Sequence, residues 1–243
     1  MHGTLHSERR GNEPDLRRVG LHPDFWYPLA LGHDLKRGKT LAVTFAGDPI
    51  VLVRTASGKI YALEDRCAHR QMPLSCGVVE GERLKCCYHA WTYNELGRCT
   101  VPYLPKGVAL PHGVRAYPSR EAYGFVFVFP GDPTLADKVA LPEPAGLQSG
   151  AYKPMLFARE VKCHYSFMHE NLMDMNHQFL HRRVTGKIKA THLATRHGDG
   201  MVEVDYRFDL MNGRTHLGSR LMCSGPEAND AKSGLMTIST RSP

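Results

Sequence analysis

The chain has no long apolar run. Its strongest, Phe125 to Phe129, falls far short of the ~20 residues that a membrane-crossing helix needs. The first twenty residues, MHGTLHSERRGNEPDLRRVG, lack an apolar h-region and a small-residue cleavage site. Arg9-Arg10 could open a twin-arginine signal, but Gly11-Asn12-Glu13-Pro14 follows where that signal needs apolar residues. Residues 1–20 therefore read as a polar tail on a soluble, cytoplasmic protein. Internal repeats are absent, as is any basic stripe interleaved with aromatics. The net charge of +7 is scattered apart from Arg182, Arg183, Lys187 and Lys189. These absences argue against a nucleic-acid or membrane partner and leave a solvated face, or a dock for an acidic protein.

What the chain does have is an ordinary globular composition, 42% apolar and 23% charged over 243 residues, enough for one large domain or two smaller ones. Seven cysteines is an odd number, and five of them (67, 76, 86, 87 and 99) crowd into one stretch. A secreted disulfide scaffold would be shorter and denser in cysteine. Clustered cysteines beside histidines in a reducing compartment point to metal.

Strand signals dominate from Leu21 onward. Thr40–Phe45, Ile50–Thr55 and Ile60–Glu64 are rich in β-branched residues and separated by Ala-Gly-Asp-Pro and Ala-Ser-Gly-Lys turns. Gly77 and Gly81 suit a hairpin between two loops, Asn94–Arg98 a turn, and Gly124–Phe129 a closing strand. Residues 130–154 carry five prolines and read as a linker or crossing loop. Tyr165–Arg183 reads as a helix stopped by Gly186, and 201–208 and 235–240 as strands.

Within the cysteine-rich stretch, Cys67-x-His69 and Cys86-x-x-His89 are separated by sixteen residues. Two short pairs, each on its own loop, suit a [2Fe–2S] cluster whose cysteines hold one iron and whose histidines hold the other. A structural Cys2His2 zinc site accepts the same ligands, although zinc fingers usually segregate cysteines from histidines. Cys87-x-His89 offers an alternative register.

With its neighbours, this motif resembles a Rieske domain over residues 21–130, through His22-Pro-Asp-Phe-Trp-Tyr-Pro28, Ala62–Arg70, Pro73-Leu-Ser75 and Tyr88-His-Ala-Trp91. Cys87 stands where the family usually has proline, and Ala90 where it usually has glycine. The resemblance implies Cys67, His69, Cys86 and His89 as cluster ligands. Respiratory Rieske proteins add a disulfide at positions that here are Met72 and Tyr88, which leaves a carrier ferredoxin or an oxygenase.

Glu170, Asp174, His177 and His181 follow at steps of four, three and four, which on a helix is one stripe. His177 and His181 could bind one metal ion, with Asp174 a turn away; by itself His-x-x-x-His is common on ordinary helices. A non-haem Fe(II) oxygenase site needs two histidines and a carboxylate, with positions open for O2. The stretch resembles the iron motif of Rieske non-haem iron oxygenase α subunits of the vanillate O-demethylase and phthalate dioxygenase branch, which usually has one more residue between the histidines. The resemblance implies His177 and His181 as iron ligands, Asp174 as a bridging acid and Asn171 near the iron. The family's third ligand falls beyond residue 243, so the catalytic domain reads as cut short. Glu203, Asp205, Asp209 and Asp230 are available carboxylates but read more simply as strand-edge charges.

The expected fold is α+β: a tail (1–20), an all-β Rieske domain (21–130) and a partial antiparallel-sheet-plus-helix catalytic domain (131–243). The expected activity is that of an oxygenase component using O2 and NADH-derived electrons, delivered by a reductase with or without a ferredoxin. It would hydroxylate or demethylate an aromatic or similarly apolar substrate, as a homotrimer. The competing expectation is an electron carrier or inactive homologue lacking the mononuclear Fe(II).

Overall fold

The structure is a computed structural model that describes residues 20–105, 108, 112–143, 156, 158–181, 183, 187–198, 201–211 and 233–241. The chain divides into two compact units, one of residues 21–160 and one of residues 161–243 together with 1–20.

Among its described residues the first unit is all β apart from two short 3-10 turns, at Leu74–Cys76 and Pro133–Leu135. Its strands are β1 (Tyr27–Leu31), β2 (Lys39–Phe45), β3 (Asp48–Arg54), β4 (Ile60–Glu64), β5 (Val78–Glu80), β6 (Arg83–Lys85), β7 (Thr92–Tyr93), β8 (Cys99–Thr100), β9 (Ala116–Tyr117), β10 (Ser119–Ala122) and β11 (Phe125–Val128). They form three antiparallel sheets ordered β1-β11-β10, β2-β3-β4-β9 and β5-β6-β7-β8. β2 and β3 are joined through Ala46 and Gly47, both at positive φ, the twist that a two-residue hairpin favours.

Strand β3 organises the unit. Ile50, Val51, Leu52 and Val53 are all fully buried, which only a strand covered on both faces can achieve. Side chains alternate across a strand, so Val51 and Val53 enter one core and Ile50 and Leu52 the other. The first core joins them to Leu63, Leu74, Leu84, Trp91 and Tyr93 and to the cysteines 67, 86 and 99. The second joins Ile50 and Leu52 to Leu35, Phe45, Ala62, Val126 and Val128. A third cluster seats Trp26, Phe127 and Phe129 on Ala136, with Leu135, Val139 and Leu141 beside them. Part of the proline-rich stretch read as a linker thus packs into this unit; residues 144–155 lie outside the described residues.

The second unit holds α1 (Tyr165–Met173), a 3-10 helix (Met175–His181) and an antiparallel sheet of β12 (Ile188–Gly198), β13 (Met201–Leu210) and β14 (Ser233–Arg241) in chain order. The single helix expected over 165–183 does not form. It breaks at Asp174, whose ψ of 106° is extended while its N–H still bonds the Glu170 carbonyl at 3.0 Å. Aspartate's short polar side chain makes it a poor helix interior and a ready terminus. The stop expected at Gly186 lies outside the described residues. His169 Nε2 meets Thr240 Oγ1 at 2.8 Å, and Tyr206 Oη donates to the Met173 carbonyl at 3.4 Å, which ties both ends of the helical turn region to the sheet.

Two candidate metal centres

The first centre is built by two matching loops. After β4, the Cys67 N–H donates to the Met72 carbonyl at 2.8 Å and the Gln71 N–H to the Cys67 carbonyl at 2.9 Å. After β6, the Cys86 N–H donates to the Trp91 carbonyl at 2.8 Å and the Ala90 N–H to the Cys86 carbonyl at 3.2 Å. Each loop therefore closes on its own cysteine with the same offsets. Each also needs a left-handed residue four places on: Gln71 has φ of 58° and Ala90 of 56°. Ala90, at a position where Rieske domains usually have glycine, carries that conformation with a Cβ.

The loops bring the four expected side chains together in two kinds. Cys67 and Cys86 are each 2% exposed and share one buried cluster. His69 and His89 have ring centroids 4.6 Å apart, with His89 toward solvent. Cys87 is exposed, so the geometry favours Cys86 as the inward thiol. Burial pushes the Cys86 thiol up, while backbone N–H groups of Tyr88 and His89 act in the opposite direction. The His69 imidazole is held below its usual range by burial, then by His89 and Arg70, which keeps it neutral and able to ligate. Its Nδ1 is buried with no hydrogen-bond partner. An orphaned lone pair in that position is what a metal bond would satisfy.

Several supporting groups were not legible in the motif. Tyr93 is fully buried, and its hydroxyl accepts the Ala68 N–H at 3.1 Å and meets Cys67 Sγ, also at 3.1 Å. Burial, then the Cys67 bond, raises its pKa, so it remains a donor. Buried Asp65 accepts the Ser75 N–H at 2.6 Å and the Ser75 hydroxyl at 2.7 Å, tying the first loop to the Leu74–Cys76 turn. Such outer bonds orient ligands and tune the metal.

Among the described residues no three His, Cys, Asp or Glu side chains gather where one metal ion could be held. Two donors for each of two irons, joined by inorganic sulfide, matches the arrangement.

At the second centre, His177 and His181 have ring centroids 5.4 Å apart at 90°. The expected single stripe does not form, because both lie on the 3-10 helix beyond the break and Glu170 lies on α1 before it. Three residues per turn set the two histidines about 120° apart around the axis rather than in line. The His177 Nδ1–H donates to the Asp174 carbonyl, so Nε2 carries the lone pair available to a metal. Asp174 and Asn171 are exposed. Glu203 and Asp205 both pair with Arg196, and Asp209 with Arg207 at 3.3 Å, as ordinary strand charges do. Asp230 lies outside the described residues. Two imidazoles thus fit a mononuclear iron, while no third ligand gathers with them among the described residues. No helix among them is long and apolar enough to cross a membrane.

A β domain with paired thiols and imidazoles on twin loops is followed by a helix-and-sheet unit carrying a histidine pair. The chain belongs to two domain families in turn: residues 25–118 match the Rieske [2Fe-2S] domain, and residues 161–242 match the vanillate O-demethylase oxygenase C-terminal domain. It is 42% identical over 172 residues to the 4beta-methylsterol monooxygenase of Methylococcus capsulatus, covering 69% of this chain and 47% of that protein. It is 35% identical over 167 residues to the dicamba O-demethylase oxygenase component of Stenotrophomonas maltophilia, covering 65% and 47%. Dicamba monooxygenase bound to 3,6 dichlorosalicylic acid matches in structure with a TM-score of 0.75 and 27% identity, over 90% of this chain and 64% of that one. The chain spans about half the length of the curated relatives it matches.

Proposed function

We propose that this chain is the oxygenase component of a multicomponent Rieske system, with Cys67, Cys86, His69 and His89 holding a [2Fe–2S] cluster and His177 and His181 supplying two ligands to a mononuclear Fe(II). When bound, the cluster supplies one-electron transfer and the Fe(II) supplies oxygen chemistry on an aromatic or similarly apolar substrate. Hydroxylation places one atom of O2 in the product and the other in water, which takes two electrons and two protons. Those electrons come from NADH through a reductase, with or without a ferredoxin. Oxidative demethylation is the same insertion at a methyl group.

The chain's own residues divide the work. The two loop cysteines bury the electron-rich end of the cluster site, and His89 brings the other end to the surface. Asp174 offers an exposed carboxylate one residue before the histidine-bearing helix, suited to link the iron site to a neighbouring subunit's cluster in a homotrimer. Its backbone carbonyl, by accepting the His177 Nδ1–H, leaves Nε2 to face the metal. Asn171, in the last turn of α1, stands near the iron in this reading. The observation that supports it most is the joint presence, in one chain, of the twin-loop thiol–imidazole site and a histidine pair in a vanillate O-demethylase-like domain.

Metal and sulfide analysis after anaerobic reconstitution tests it. Three irons and two acid-labile sulfides per chain are expected. A second reading, an electron carrier without the mononuclear iron, rests on the lack of a third ligand beside His177 and His181 among the described residues and predicts two irons.

A further inference from the structure

We propose that Trp91 and Tyr103 form a positioning pair that fixes the plane of the His69 imidazole and so tunes the reduction potential of the cluster. The inference rests on the cluster assignment above. Trp91 lies in the second loop, yet its ring stacks on His69 of the first, with an interplanar angle of 7° and centroids 4.9 Å apart. Its carbonyl accepts the Cys86 N–H at 2.8 Å. One residue therefore secures a ligand in each loop, through its ring in one case and its backbone in the other.

The indole is itself anchored. Its Nε1–H donates to Tyr103 Oη at 3.0 Å. Trp91 is 7% exposed but Tyr103 is 63% exposed, so burial does not explain the tyrosine's position, and the hydroxyl bond is its visible role. The His69 ring is confined on one face by the indole and at its edge by His89, at 64° and 4.6 Å. An imidazole bonds a metal with a lone pair in its ring plane, so rotation of that plane weakens the bond.

The stack also has a sign. An oxidised iron withdraws more electron density from imidazole than a reduced one, and the electron-rich face of an indole favours the more positive ring. The indole thus stabilises the oxidised cluster, and its removal favours reduction.

The test is redox titration and electron paramagnetic resonance of the reconstituted full chain and three variants, with iron and sulfide quantified in each. Trp91→Leu should raise the reduced-to-oxidised ratio at fixed potential about twofold, an upward midpoint shift of ~18 mV at 59 mV per tenfold for one electron. Trp91→Phe, which keeps an aromatic face, should restore most of the parent midpoint. Tyr103→Phe, a surface change, should broaden the resonance of the reduced cluster and shift the midpoint less, in the same direction. An unchanged spectrum and midpoint in fully loaded Trp91→Leu and Tyr103→Phe, or a lowered ratio, overturns the proposal. If Trp91→Leu fails to load, Tyr103→Phe decides alone. If the parent takes up neither iron nor sulfide, the cluster assignment falls and this inference with it.

Discussion

Ala90 carries a Cβ in a conformation that glycine adopts without cost. A left-handed alanine costs about 1–2 kcal/mol, and glycine returns roughly 0.5–1 kcal/mol of that through its freer unfolded chain. Ala90→Gly should therefore stabilise the first unit by about 0.5–1 kcal/mol, read as a raised denaturation midpoint; a lowered midpoint would show that the loop is not strained there. Asp174 offers two separate groups, its backbone carbonyl, which accepts from His177, and its exposed carboxylate. Asp174→Ala keeps the first and removes the second. The variant should retain the cluster's visible spectrum while substrate oxidation falls at least tenfold. Parallel loss of both would make the carboxylate structural.

Among the elements, the hairpin of β5 and β6 delivers Cys86 to its loop. A Cβ at Gly77 would collide with the backbone oxygen of Lys85, a neighbour that cannot move without breaking the hairpin. Gly77→Ala should cost about 2 kcal/mol or more and lower iron content, a loss measurable by denaturation and metal analysis. Arg54 links β3 to β10 by a two-point pair with Glu121 at 2.7 and 2.9 Å, and also bonds the Leu35 and Gly32 carbonyls. The Arg54 hydrogen bond, then its charge, holds the Glu121 carboxyl below its ordinary 4.5, against an opposing push from burial. A depressed carboxylate stabilises the fold above its unfolded pKa, and that contribution is lost as pH falls through the folded value. The first unit should thus weaken below about pH 4.5 by ~1 kcal/mol from this partly exposed pair. Glu121→Gln should flatten that part of the acid limb in urea titrations; an unaltered limb would remove the pair from the account.

Over the whole molecule, what could be read in advance tracks how local its cause is. The three strands around β3 announce themselves in β-branched runs and turns, and the cluster ligands in two short Cys/His spacings. β12 was missed because Ile188–Gly198 contains alanines, histidines and glycine, and its strand form follows from pairing with β13. The break at Asp174 was missed because four-three-four spacing fits a continuous helix equally well. Nothing in the spacing of Tyr93 or Tyr103 reveals that their hydroxyls reach Cys67 and Trp91, since those bonds exist only after the sheets assemble. In the proposed cluster, two imidazoles bind one iron of a sulfide-bridged pair whose other iron is bound by two buried thiolates. Pulsed electron paramagnetic resonance of the reduced, reconstituted protein reads this ligation. Two strongly coupled imidazole nitrogens on a [2Fe–2S] signal are expected; a sulfide-free protein, or a cluster with no directly bound nitrogen, would rule it out.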